Sequence, residues 1–192
     1  SPFDEPIKEF AILDEFCEPQ IGYEKIKFKS AAQYFELLEK NGVILSARKR
    51  REKILNEFAN LKKKHGFKID ADEDLLDEVV AITEFPTALL GGFDEEFLSV
   101  PKEAIITSMK ENQRYFPVFE GERLSNHFVV VSNAVTQDND LIVKGNEKVL
   151  RARLSDAMFF WQSDLKAEFS AEKLKQISYL DGLGSVYDKQ LR

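Results

Sequence analysis

The chain of 192 residues contains one cysteine, Cys17, and two histidines, His65 and His127. A single thiol excludes an internal disulfide, and this supply of sulfur and imidazole cannot assemble a structural zinc set. Both shortages fit a reducing, cytoplasmic setting. No run of eighteen apolar residues occurs, and no basic-then-apolar leader precedes the first acidic residues. Neither a membrane span nor a secretory signal is therefore expected. Positive charge is also in deficit: 27 Lys and Arg face 34 Asp and Glu, a net charge of −7. That balance argues against a protein that grips nucleic acid over its whole surface. A local basic face stays possible, because a phosphate is felt over a Debye length of ~8–10 Å. Internal repeats and low-complexity tracts are missing. The first residue is Ser, and no terminating pattern precedes Arg192, so the sequence reads as a piece of a longer protein.

Apolar material is ample. With 43% hydrophobic residues and 16 phenylalanines, the chain can bury a core of its own and is expected to form one domain, at most one and a half. Phe10–Leu13 and Ile26–Phe28 read as short strands. Ser30 with Gln33 three residues on is a capping-box pattern, opening a helix that carries Tyr34, Leu37 and Leu38 inward and stops at Asn41-Gly42. Ser46 starts a longer helix, with Ile54, Leu55, Phe58 and Leu61 spaced for burial and Gly66 at its end. The basic runs Arg48–Arg51 and Lys62–Lys64 form its outer face. Asp72 caps a third helix that buries Leu75, Leu76, Val79, Val80 and Ile82, and Pro86 halts it. Thr87–Gly92 is a strand in which Gly91-Gly92 permits a turn or a close backbone approach. Pro101 suits the first position of a helix running through Met109. Tyr115–Glu120 and Phe128–Ser132 form an antiparallel hairpin turning near Gly121. The longest helix covers Lys144–Leu165, with Leu150, Leu154, Met158, Trp161 and Leu165 as an apolar stripe, widened by Phe159 and Phe160 so that it lies between layers. A last helix is expected over Ser170–Leu180. Without strict βαβ alternation, these elements predict an α+β fold, an antiparallel or mixed sheet backed by helices.

No self-contained catalytic site emerges. Gly91-Gly92 is followed by Phe93 and acidic residues, which would repel phosphate. The histidines have no partner spacing for a metal or a triad, and His127 reads as structural. Cys17 lacks a cationic neighbour to activate it, and the carboxylate clusters read as solvated helix caps. Two segments hold groups suited to an anionic, aromatic-bearing ligand such as looped or single-stranded RNA. In Met109–Phe119, Lys110, Gln113 and Arg114 are donors for phosphates or base edges, and Tyr115 and Phe116 offer faces for stacking. The competing reading there is a helix-to-strand junction whose aromatics enter the core. In the long helix, Lys144, Lys148 and Arg151 share one face, and Arg153 adds another donor.

The stretches Leu75–Val79 (LLDEV), Glu84–Pro86 (EFP), Phe93–Pro101 (FDEEFLSVP), Met109–Val118 (MKENQRYFPV) and Gly145–Ala157 (GNEKVLRARLSDA) occur in an order and spacing that closely resembles the β subunit of the bacterial two-subunit glycyl-tRNA synthetase. The likeness covers Gln33 to the C-terminus, and the N-terminal thirty residues match less clearly. The resemblance implies a role in ATP-dependent attachment of glycine to tRNA-Gly by an α2β2 assembly whose catalytic site belongs to the α subunit. On that basis no catalytic residue, metal or cofactor is expected in this stretch, ATP being used on the α subunit. Residues 1–180 would be an α+β module like the central module of the phenylalanyl-tRNA synthetase β chain, and residues 181–192 the start of the connection into a helical domain of the HD type. Tyr115, with Lys110, Gln113, Arg114, Lys148, Arg151 and Arg153, would be the candidate tRNA contacts, and the α subunit and tRNA-Gly the partners. A purely architectural module that docks other parts of the enzyme is the alternative. Hydrolytic editing is not expected, because a pocket sized for glycine already excludes larger side chains sterically.

Overall fold

The computed structural model describes residues 9–10, 26–27, 31–134, 138–166, 171–179 and 184–190. The chain folds as two compact units, Ser1–Ala157 and Met158–Arg192. The division falls earlier than the 180/181 boundary expected from the sequence.

The first unit is α+β. A two-residue ladder joins β1 (Glu9–Phe10) to β2 (Ile26–Lys27), and the remaining residues of both expected N-terminal strands lie outside the described ones. Helix α1 (Ala31–Lys40) ends where Gly42 takes a left-handed φ of 81°. Helix α2 (Ala47–His65) begins at Ser46, whose hydroxyl accepts from the Lys49 N–H, and ends at Gly66 in the left-handed region. After β3 (Lys68–Ile69), helix α3 (Glu73–Ile82) starts at Asp72, whose carboxylate accepts from the Leu75 N–H. Then come β4 (Thr87–Gly92), a 3-10 turn at Glu95–Ser99, helix α4 (Lys102–Gln113), β5 (Phe116–Glu120), β6 (Arg123–Ser132) and helix α5 (Asn139–Lys166), within which the division falls.

Four of these strands form one antiparallel sheet in the order β3-β5-β6-β4. The β5–β6 hairpin turns at Gly121, φ 62°. Pro117 lies on the inner strand β5, where it can give no N–H to a ladder, and the register of the hairpin shifts there. Alternation along β6 sends successive side chains to opposite faces. On one face, Val129 joins Phe116 and Val118 of β5 against Ile54 and Phe58 of α2 and Leu75, Leu76, Val79 and Val80 of α3. Phe58 and Phe116 meet edge to face, ring centres 5.0 Å apart. On the other face Phe128 is fully buried and Tyr115 stacks on it at 4.7 Å. Gly91 pairs with Phe128 across β4 and β6. A Cβ at Gly91 would lie 2.6 Å from the Phe128 ring, so the glycine is required by a close approach rather than by a turn.

The outer edge of β4 is covered by side chains. The Ala88 N–H donates to Glu57 of α2 at 2.6 Å and the Gly92 N–H to Glu147 of α5 at 2.9 Å. Lys53 donates to the Pro86 carbonyl and to the same Glu57. An edge strand bonded in this way offers few free backbone groups to another strand.

Several expectations need correction. Leu55 and Ile82 are exposed, because each falls beside the buried stripe of its helix rather than on it. The basic run of α2 faces outward only in part: Arg48 and Lys49 are exposed, while Arg50 and Arg51 turn to partners. Arg50 donates to the carbonyls of Ile44, Leu45 and Val80, and Arg51 forks between Glu73 and Asp77, so this run ties α2 to α3. Lys62–Lys64 do face solvent. Pro101 caps α4 from one residue before its start, and α4 continues to Gln113. Helix α3 already ends at Thr83, whose hydroxyl donates to the Val79 carbonyl, three residues ahead of Pro86.

The second unit contains a 3-10 segment at Ala171–Gln176, where the sequence suggested an α-helix, and a short helix α6 (Val186–Gln190). Backbone bonds from Tyr179 N–H to the Gly184 carbonyl and from Val186 N–H to the Ile177 carbonyl join them. Phe159 and Phe160 are 66% and 63% exposed, and Leu165 is exposed as well. By the 3.6-residue period both phenylalanines fall off the Leu150–Leu154 stripe, so they do not widen it. No described helix is long and apolar enough to cross a membrane.

Candidate nucleic-acid interface

The sequence-derived site residues fall on the end of α4, the start of β5 and the middle of α5. Helix α4 closes with Arg114 in the left-handed region at φ 57°, the one non-glycine residue there among those described. The Tyr115 N–H donates to the Met109 carbonyl at 2.9 Å and the Arg114 N–H to the Lys110 carbonyl at 3.3 Å, a left-handed helix ending. The turn directs Tyr115 and Phe116 into the sheet. Tyr115 is 2% exposed and Phe116 is fully buried. Neither ring is available to stack on a base, and the core reading of this junction is the correct one. Tyr115 donates its hydroxyl to Asn146 Oδ1 of α5 at 2.6 Å. Burial pushes its ionisation up to about 12.

Two of the cations beside it are engaged within the chain. Lys110 approaches Asp70 at 2.8 Å and Asp72 at 3.3 Å. Burial, the largest influence on its ammonium, lowers its pKa. The hydrogen bonds to both carboxylates outweigh that and leave it raised. Asp72 is shifted the opposite way, first by the Leu75 N–H it accepts and then by Lys110. This cluster closes the junction between β3, α3 and α4. Arg114 pairs with Glu78 of α3 at 2.6 Å and donates to the Glu111 carbonyl. Gln113 is half-buried, and its amide has no intramolecular partner among the described residues.

Helix α5 buries Leu150 and Leu154 completely. Lys144, Lys148, Arg151 and Arg153 are all exposed. Arg151 reaches Asp94 at 3.2 Å, while Lys144, Lys148 and Arg153 have no carboxylate partner among the described residues. Helical geometry places Lys144, Lys148 and Arg151 along one flank of the buried stripe and Arg153 roughly 140° around from Lys148, on the other flank. Unpaired cations therefore line both sides of α5.

A cleft of about 350 Å³ opens where α3, the end of α4, β6 and the first turns of α5 meet. Val79, Val130, Val131 and Ile142 give it an apolar lining, and Gln113, Arg114, Ser132 and Asn146 a polar one. No spacing in the sequence could have revealed it, since its walls come from four elements far apart in the chain. His127 also has a structural place: its Nδ1 lies 3.0 Å from the Ser125 hydroxyl, itself 3.2 Å from Glu120. With the serine buried between the other two, the imidazole is not oriented by a carboxylate, so this trio does not form a nucleophile–base–orienter relay.

Known proteins share this sequence in register. The family profile described as "Glycyl-tRNA synthetase beta subunit" matches residues 16–192. A glycine–tRNA ligase beta subunit of Helicobacter pylori (strain Shi470) is 52% identical over 178 residues, covering 90% of this chain and 25% of the relative. Its namesake in Clostridioides difficile (strain 630) is 42% identical over 174 residues, again covering 90% and 25%. That of Oceanobacillus iheyensis is 44% identical over 168 residues, covering 86% and 24%. The chain thus spans about a quarter of the length of the curated relatives it matches. With a profile in register over almost the whole sequence, the chain belongs to the glycyl-tRNA synthetase β-subunit family.

Proposed function

We propose that this chain is a non-catalytic module of a glycine–tRNA ligase β subunit that helps to hold tRNA-Gly, the ATP-dependent joining of glycine to tRNA taking place on a partner α subunit within an α2β2 enzyme of the cytoplasm. The observation that carries the reading is the contrast among its cations. Arg50 and Arg51 of α2 and Lys110 and Arg114 at the end of α4 are taken up by carboxylates and carbonyls that hold helices together, whereas Lys148 and Arg153, with Lys144, project from α5 without carboxylate partners among the described residues. Free cations on a helix anchored to the core by Leu150 and Leu154 are suited to phosphates, which position an RNA without reading its sequence. The likeness to the central module of the phenylalanyl-tRNA synthetase β chain is part of the same proposal.

The test is a salt series of tRNA-Gly binding by the assembled enzyme. Removing one cation that meets a phosphate should flatten the dependence of log K on log salt by about one unit. Lys148→Ala and Arg153→Ala should each show that change. Arg151→Ala should show less, because a phosphate would first have to displace Asp94. Unchanged slopes in both of the first two variants would remove α5 from the RNA interface.

One observation favours the architectural alternative. Phe159 and Phe160, whose rings meet edge to face at 5.6 Å, are exposed on the second unit, and adjoining exposed aromatics commonly mark a surface that another polypeptide covers.

A further inference from the structure

The cleft bounded by α3, α4, β6 and α5 has a chemistry of its own. Its volume of about 350 Å³ is at the lower end of small-ligand sites. Most of the polar groups around it are already committed. Tyr115 donates to Asn146 Oδ1, and Asn146 Nδ2 donates to the Ile142 carbonyl at 2.7 Å. The Ser132 hydroxyl accepts from the Ala134 N–H at 3.1 Å. The charge of Arg114 is balanced by Glu78. The Gln113 amide, which sets a donor and an acceptor side by side, has no partner among the described residues and stands beside an apolar lining that includes Val79 and Val131.

We infer that this cleft receives an unstacked nucleobase of the bound tRNA, its flat ring against the apolar floor and its edge hydrogen-bonded by Gln113. Three features select that ligand. A cleft with no net charge fits a neutral ring better than a free phosphate or carboxylate. A glutamine amide matches the adjacent donor and acceptor of a base edge bidentately. Single-stranded loops and ends are where RNA offers unstacked bases for such readout. Position supports the same ligand. Asn146 in the cleft wall and the unpaired Arg153 lie on the same flank of α5, seven residues and so about 10 Å apart, a reach suited to a phosphate of a neighbouring nucleotide. Arg114 supports the cleft mouth in a left-handed conformation that side-chain-bearing residues rarely adopt, and its bonds to Glu78 and Glu111 hold it there.

This inference rests on the proposed tRNA-binding role, and its test separates the two. The assembled α–β enzyme is irradiated with tRNA-Gly carrying 4-thiouridine at its unpaired uridines, and cross-links are mapped to peptides. Parallel equilibrium titrations cover Gln113→Ala and Ile82→Trp. Ile82 lines the cleft yet is 55% exposed, so its replacement can fill the mouth without entering the core. The expected result is cross-links to the peptides holding Gln113 or Ile142–Asn146, abolished in Ile82→Trp, and a fall in affinity of about fivefold or more in Gln113→Ala with an unchanged salt slope. Cross-links elsewhere only, with slopes still flattened by Lys148→Ala, would overturn the cleft while leaving tRNA binding by α5 intact. Slopes unchanged from the parent enzyme in Lys148→Ala and Arg153→Ala, together with no cross-links, would overturn both. Protection of Ile142–Asn146 from hydrogen exchange by the α subunit alone, without tRNA, would show a protein occupant and also overturn it.

Discussion

Tyr115 shows how one residue can carry two readings of the same segment. Flanked by Lys110, Gln113 and Arg114, it has the composition of an RNA-stacking site, yet a left-handed turn at Arg114 swings its ring onto Phe128 in the core. Its hydroxyl stays neutral up to about 12, against 10.0 in an unstructured chain. An acid whose folded value is raised supports the fold fully below the unfolded value and loses that support as pH rises through the window from 10 to 12. Tyr115→Phe should therefore lose stability less steeply over that alkaline window. At neutral pH it should be about 1–2 kcal/mol less stable, because Asn146 Oδ1 loses its donor. Urea melts at a series of pH values read both effects. Lys110 adds to the same alkaline decline, since its raised pKa also gives stability that is lost at high pH. Asp72, shifted down, acts at the opposite end: its contribution is present above the ordinary carboxylate range and is lost as acid titrates it.

At the scale of elements, β4 and its partner β6 help to position α5. Gly91 lets the Phe128 ring lie against the backbone of β4, and Gly92 donates to Glu147, which fixes α5 at the sheet edge. Gly91→Ala would force a buried ring aside and should cost about 1–3 kcal/mol, the range for overpacking a tight core. Combining it with Phe128→Leu should restore part of that loss, which a double-mutant cycle of unfolding free energies measures. The caps at Ser46, Gly66 and Asp72 were legible because each satisfies a local backbone group within three or four residues. The inward positions Ile54, Phe58, Leu75, Leu76, Val79 and Val80 were legible from helical periodicity. Leu55 and Ile82 were not, because periodicity fixes a stripe and leaves its width to whatever packs against it.

Over the whole chain, a net charge of −7 means that any RNA interface must be a local concentration of cations against an unfavourable long-range field, so the salt dependence this part of the chain adds should reflect only the few phosphates those cations meet. The exposed pair Phe159 and Phe160 belongs to this scale too, since relatives are about four times as long as this chain. Replacing both with Ser in a full-length β subunit should leave the helix intact and lower the fraction that forms the full assembly with the α subunit, as measured by light scattering after size-exclusion chromatography. An unchanged mass distribution and unchanged thermal stability would show that nothing docks there.

The amino-acid order alone determined the α+β class, the helix caps, the β5–β6 hairpin and the family, because these depend on neighbours within a few residues or on long motifs in register. It also supplied the cations from which a binding surface could be drawn. Only the tertiary structure decided which of them were free. Arg50, Arg51, Lys110 and Arg114 meet carboxylates or carbonyls that fold against them from other elements, while Lys148 and Arg153 meet none among the described residues. The cleft beside Gln113 likewise exists only once four segments converge, since burial, ion pairing and enclosure are properties of distant parts of the chain brought together.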